Sequence, residues 1–262
     1  MMVGRGELVG RAALVTGATR LGGIGAATCR ALAARGADVA FTHWGRYDAG
    51  FPWAGAAEEP ARLAAELEAL GVRATAIEAD LSDPAMPEWV LDEAIRRLGP
   101  LSILVNNAAH STNDGWRNLD AATLDAHYAV NVRATALLSV GFARRFAGGE
   151  GGRIVSMSSG QGQGPMPGEL AYAASKGAVE ALTASLSPAL AEVGITVNAV
   201  NPGPTDTGWI TPEFADVLRP KFPAGRIGRP EDAARLIAWL CTDDAAWVPG
   251  QVIHSEGGFL RQ

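Results

Sequence analysis

Cysteine is nearly absent from this chain. Only Cys29 and Cys241 occur among 262 residues. They stand alone, without CxxC or metal-ligand spacing, which argues against a disulfide framework or a cysteine metal site. Each reads as a small buried hydrophobe in a reduced compartment. Histidine is sparse too. His110, His127 and His254 lack mutual ligand spacing, so no metal site is read. Positive charge is in deficit, with 22 Lys and Arg against 28 Asp and Glu, a formal net charge of −6 and a pI of about 5.3. No basic cluster offsets it, which argues against nucleic-acid binding. No apolar run approaches the ~20 residues of a membrane span. The opening "MMVGRGELVGR" has no long apolar core and does not read as a signal peptide. A soluble cytoplasmic protein is expected. A GxxxxGK[ST] phosphate loop is also missing, which disfavours ATP or GTP chemistry.

What is present is alternation. Hydrophobic residues make up 48% of the chain, enough for a sizeable core. Short apolar runs such as "AALVTG", "ADVAFTHW", "VRATAIEAD", "LSILVNNAA", "GRIVSMSS", "GITVNAVNPG" and "GQVIHSEGG" read as strands. Helical patterns lie between them, among them "GIGAATCRALAARG", "EEPARLAAELEALG", "WVLDEAIRRLG" and a long region from about Ala121 to Phe146. The pattern predicts one α/β domain, a Rossmann-like, doubly wound parallel sheet with helices on both faces. Pro188 is expected to kink or interrupt the helix that follows the fifth strand. Trp239 and Trp247 are expected to be packing residues. Three stretches look irregular: 45–60, "GQGQGPMPGEL" and "PTDTGWITPEFADVLRPKFP". The last two follow strands, on the edge where open α/β sheets bind ligands.

Four local features carry chemistry. The turn "TGATRLGGIGAA" places Gly17, Gly22, Gly23 and Gly25 between the first strand and a helix start, where bare backbone admits a phosphate. "NNAA" ends the fourth strand, and Ser158 and Ser159 end the fifth. Tyr172 and Lys176 stand four apart, on one face of a helix. An ammonium there stabilises a phenolate, so Lys176 is expected to lower the Tyr172 pKa from its ordinary ~10. Tyr172 is then a general acid for ketone reduction and a base in reverse.

In this order the motifs resemble the short-chain dehydrogenase/reductase family over essentially the whole chain. "NPGPTDT" (Asn201 to Thr207), "GRIGRPEDAA" and "GQVIHSEGG" extend the resemblance, and within the family the tail looks closest to 3-oxoacyl-[acyl-carrier-protein] reductases. Two departures stand out. The glycine loop is two residues longer than TGxxxGxG, and Ala109 replaces the glycine of NNAG. A longer loop is also similar to that of bacterial enoyl reductases, which instead separate tyrosine and lysine by six residues.

The resemblance implies a catalytic set of Ser159, Tyr172, Lys176 and Asn131. Ser159 bonds the substrate carbonyl, with Ser158 as the alternative. Lys176 also holds the nicotinamide ribose. Asn131 either holds a water in a proton relay to Lys176 or merely distorts the helix. The cofactor is implied to lie against Gly17, Arg20, Gly23, Ile24, Gly25, Asp80, Leu81, Asn107, Ala108, Tyr172, Lys176, Pro202, Gly203 and Thr205. Gln161 and Met166 are candidate substrate contacts on one wall. A lid over about 205–223 carries Trp209 as its apolar tip.

The cofactor is expected to be NADP(H) rather than NAD(H). The second strand ends in Thr42, His43 and Trp44, with no carboxylate before Asp48 to bond both ribose hydroxyls. Arg20 and Arg46 are available to a 2′-phosphate. The activity implied is reduction of a ketone, with a 3-oxoacyl thioester first. The alternatives are a ketoreductase or alcohol dehydrogenase of secondary or sugar metabolism, and a cofactor-binding sensor without turnover. A sensor has no need of Ser159, Tyr172 and Lys176 together. Small residues beside the catalytic pair (Ala173, Ala174, Gly177, Ala178 and Ala181) permit close helix packing, and the family pairs such helices, so a homotetramer is expected, with a dimer as the alternative.

Overall fold

The computed structural model of the chain describes residues 7–52, 54–149 and 151–261. Seven parallel strands form one sheet: β1 (Ala12–Val15), β2 (Asp38–His43), β3 (Ala74–Glu78), β4 (Ile103–Asn106), β5 (Gly152–Met157), β6 (Ile195–Asn201) and β7 (Val252–His254). Their order is β3-β2-β1-β4-β5-β6-β7. The winding direction reverses between β1 and β4, which opens a crevice beyond their carboxyl ends.

Strand periodicity divides the core in two. Ala13 and Val15 of β1, Val39 and Phe41 of β2, and Ile103 and Val105 of β4 face one helical layer. That layer holds α1 (Ile24–Ala33), α3 (Glu59–Glu68) and α9 (Pro230–Leu240). The intervening residues Leu14, Ala40 and Leu104 face the other. There lie α4 (Met86–Leu98), α6 (Thr135–Arg145) and part of α7 (Leu170–Ala191). Strands buried on both faces read as continuous apolar runs, which is why they were legible.

Several expectations need correction. The fourth helix begins at Met86, a turn before the apolar pattern, because Pro87 fits a first turn. Two irregular stretches contain helix: α2 (Gly45–Asp48) after β2, and α8 (Pro212–Leu218), which Thr211 caps by accepting from Phe214 N at 3.3 Å. The long helical region divides into α5 (Ala121–His127), a π-helical stretch over Tyr128–Ala134 and α6. Pro188 does not interrupt α7, which continues to Ala191. The missing amide costs one bond near the helix end, while Leu186 and Leu190 pack against the second core. Trp247 is not a packing residue. It is 93% exposed, in the loop before β7, and Trp239 is also exposed. The expectation for the cysteines holds: Cys29 and Cys241 are both buried.

Candidate active site

The crevice at the β1/β4 reversal opens into a cavity of about 660 Å³. Its floor is the glycine loop. Gly17 has φ +74°, and a Cβ there would stand 2.6 Å from Ala108 Cα. A Cβ on Gly25 would stand 2.5 Å from the Gly17 carbonyl oxygen. Asn107 ties the loop down, its Nδ2 donating to the carbonyls of Thr16 (2.9 Å) and Gly17 (2.8 Å). The α1 N-terminus has Gly23 at its cap, no side-chain cap and no acidic residue in its first turn. Its free amides and positive dipole end suit a pyrophosphate. Asp80 and Leu81 form a further wall, and Arg20, Ile24, Ala108 and Arg46 also line the cavity. These residues fit a dinucleotide: bare backbone, free amides and two guanidinium groups line one space. Pro202, Gly203 and Thr205 follow β6 and, like Tyr172 and Lys176, do not line this cavity.

Arg20 is not a free cation. Its Nε lies 3.2 Å from Asp48 Oδ1, and its Nη1 donates to the Thr207 carbonyl at 2.8 Å. Arg46 is exposed, over the Trp44 ring at 5.5 Å, with no ion pair among the described residues.

At the carboxyl end of β5 the two serines separate. Ser158 Oγ donates to Glu180 Oε1 at 2.5 Å and accepts from Gln161 Nε2 at 3.4 Å. The Ser159 hydroxyl stands near enough to the Tyr172 phenol to favour its ionised form. With Ser158 held by Glu180, Ser159 is the serine left to face the tyrosine. Gln161 turns back toward the serines, and Met166 lies further along the same loop, half-buried. Trp209, in the 205–223 segment, donates from Nε1 to the Thr205 carbonyl at 2.8 Å. Its ring meets Phe214 at 5.7 Å. The start of that segment pairs with the chain beyond its end, where Thr205 bridges Gly228.

The expected lowering of the Tyr172 pKa is not found. Burial pushes the phenol up to about 12, the Ser159 hydroxyl offsets this in part, and the nearby charge of Glu169 raises it further. Lys176 Nζ lies 5.4 Å from the Tyr172 ring centroid but donates to the Met157 carbonyl at 2.8 Å. Burial lowers its own pKa to about 8. Desolvation therefore outweighs charge pairing at both groups.

Asn131 lies in the π-helical stretch, fully buried. Its Oδ1 accepts from His110 N at 2.7 Å, and its Nδ2 donates to His110 O and Ser175 Oγ, both at 2.9 Å. The side chain thus clamps the loop after β4 to α7. The same loop is held elsewhere: Tyr47 Oη accepts from Ser111 N at 2.9 Å, and His127 Nε2 accepts from Thr112 N at 3.3 Å. Asp114 accepts from Leu170 N (2.7 Å) and Ala171 N (2.8 Å), the first two amides of α7. Sequence reasoning missed Tyr47, Asp114 and Glu180. None belongs to a motif, and only folding brings them to the site.

The fold and this constellation define a nicotinamide-dependent oxidoreductase of the α/β class. The chain belongs to the short-chain dehydrogenase/reductase family. Residues 17–260 match the family profile described as enoyl-(acyl carrier protein) reductase. An uncharacterized oxidoreductase of Bacillus subtilis, YjdA, is 53% identical over 95% of this chain and 96% of its own length. A short-chain dehydrogenase/reductase from Serratia marcescens superposes with a TM-score of 0.87 at 36% identity, covering 97% of this chain and 99% of that one. A short-chain dehydrogenase from Burkholderia cenocepacia, solved in complex with NADP, gives 0.86 at 38% identity over 96% and 98% of the two chains.

Proposed function

We propose that the protein reduces a ketone or aldehyde to an alcohol with NADPH. The observation that carries this reading is the Ser159–Tyr172–Lys176 set beyond the carboxyl end of β5, on the same sheet edge as a cavity that fits a dinucleotide. When bound, NADPH supplies the hydride. Tyr172 gives its proton to the carbonyl oxygen as charge develops there. Ser159 donates to the same oxygen. One Lys176 N–H is spent on the Met157 carbonyl, and the remaining donors hold the ribose hydroxyls. Asn131 positions the 110–115 loop and Ser175, and its Oδ1 keeps one acceptor site for a water. Arg46, with Arg20, meets the 2′-phosphate. The 205–223 segment acts as a lid with Trp209 at its tip, and Gln161 and Met166 line the facing wall. The exposed Leu124, Tyr128 and Leu137 favour burial in a homotetramer.

Two substrate readings stand. The tail and the 225–234 segment favour a 3-oxoacyl thioester. A hydroxylated carbonyl compound is favoured by one observation, a carboxylate without a partner beside Tyr172, taken up below. NADPH oxidation across a panel of carbonyl compounds tests the activity. Oxidation with none of them would refute it.

The cofactor preference is tested with the arginines. Wild type is expected to favour NADPH over NADH in kcat/KM by at least about 10-fold, the worth of a charge-assisted bond. Arg46→Ala or Arg20→Ala should cut that ratio. A wild-type preference for NADH would overturn the assignment, and two unchanged ratios would clear both arginines.

The pH profile follows from Lys176. Tyr172, raised to about 12, stays protonated through the neutral range. Lys176 is charged below about pH 8 and loses its proton above it. Reduction should therefore hold steady at neutral pH and decline as pH rises through about 8. Lys176→Arg should shift that limb upward in whatever activity it retains. A profile flat to pH 10 would mean that the Lys176 charge is not required.

A further inference from the structure

We propose that Glu169 selects the substrate: its carboxylate pairs with a hydroxyl or ammonium group carried close to the reacting carbonyl, and it repels substrates that carry a carboxylate there. This inference rests on the carbonyl-reductase reading above. Glu169 is the N-cap residue of α7, and Tyr172 stands at the third helical position. On a helix these two side chains are neighbours, the geometry that a capping box uses. An N-cap side chain ordinarily turns back to the free amides of the first turn. Here the first two are taken. Asp114, from the loop after β4, accepts from Leu170 N and Ala171 N. Glu169 makes no capping bond and no ion pair, and its carboxylate has no partner among the described residues.

The result is a half-buried carboxylate with nothing to pair with, one turn from the proton donor. Burial and the neighbouring Asp114 both raise its pKa, with His127 acting in the opposite sense. Its charge reaches the Tyr172 phenol. His127 does not hydrogen-bond it. Its Nδ1 bonds the Thr123 carbonyl at 2.8 Å, and its Nε2 is held by Thr112 N. A partly desolvated acceptor left unpaired costs free energy that a ligand donor recovers. A 2-hydroxy or 2-amino carbonyl compound supplies such a donor. A 2-oxoacid brings a like charge instead, and a plain alkyl ketone brings nothing.

The test compares kcat/KM for hydroxyacetone, butanone, pyruvate and acetoacetyl-N-acetylcysteamine in wild type, Glu169→Gln and Glu169→Ala. Wild type should prefer hydroxyacetone to butanone by at least about 10-fold, the scale of a bond to a charged group. Glu169→Ala should bring that ratio to near one and raise turnover of pyruvate. Glu169→Gln, which keeps an acceptor without the charge, should retain part of the hydroxyacetone preference and lose the discrimination against pyruvate. Both variants should unfold at the wild-type temperature, since Asp114 still caps the helix. A hydroxyacetone-to-butanone ratio unmoved by either substitution would overturn the inference. So would a wild-type preference for the acetoacetyl thioester that neither variant alters. Reduction of none of the four probes, or of any other carbonyl compound, would remove the functional reading itself and the inference with it.

Discussion

Tyr172→Phe is expected to lower kcat for carbonyl reduction by at least ~10²-fold, the low end for general acid–base catalysis. The substitution removes one oxygen and one proton. The ring remains, and with it the packing near Lys176 Nζ at 5.4 Å from the centroid. Ser159 keeps its hydroxyl for the substrate. The cofactor dissociation constant and the unfolding temperature should therefore stay near wild type. Single-turnover measurements with saturating NADPH would separate the chemical step from binding. Turnover close to wild type would take Tyr172 out of the mechanism.

Gly17→Ala is expected to abolish dinucleotide binding and to destabilise the fold. Gly17 sits at φ +74°, where an L-residue pays about 1–2 kcal/mol. The added methyl would also stand 2.6 Å from Ala108 Cα and 2.9 Å from Ala108 N, so backbone has to move. That movement would disturb the loop that Asn107 holds. A fall in unfolding temperature of roughly 5 °C or more should accompany a loss of affinity of at least about 10-fold. Gly22→Ala is the control. Nothing lies within 4 Å of a Cβ there. Isothermal titration of both variants decides the matter, and wild-type affinity in Gly17→Ala would show that the loop tolerates the shift.

Much of the frame was legible because local signals and tertiary demands agree. The strands are apolar on both faces, and the helices between them carry one apolar stripe each. The exceptions share a cause. Short α2 and α8 lie among glycine, proline and aromatic residues whose helical state depends on contacts elsewhere, such as Tyr47 reaching Ser111. Pro188 broke a local rule without consequence, because flanking leucines anchor the helix end. Arg20 looked like a free cation in the sequence, and folding gave it Asp48 and the Thr207 carbonyl.

The sequence by itself determined the fold class and the family, and it singled out Ser159, Tyr172 and Lys176 as candidates, since each rests on residue type and spacing along the chain. Only the tertiary structure decided what those groups experience. The i, i+4 spacing puts Lys176 near Tyr172, but burial sets both pKa values, and the ammonium turns to the Met157 carbonyl. It also decided which serine faces the tyrosine, through Glu180 on the other serine, and it freed Glu169 by supplying Asp114 as the cap. Desolvation and hydrogen-bond partnership depend on which distant segments meet, and spacing along a chain does not encode that.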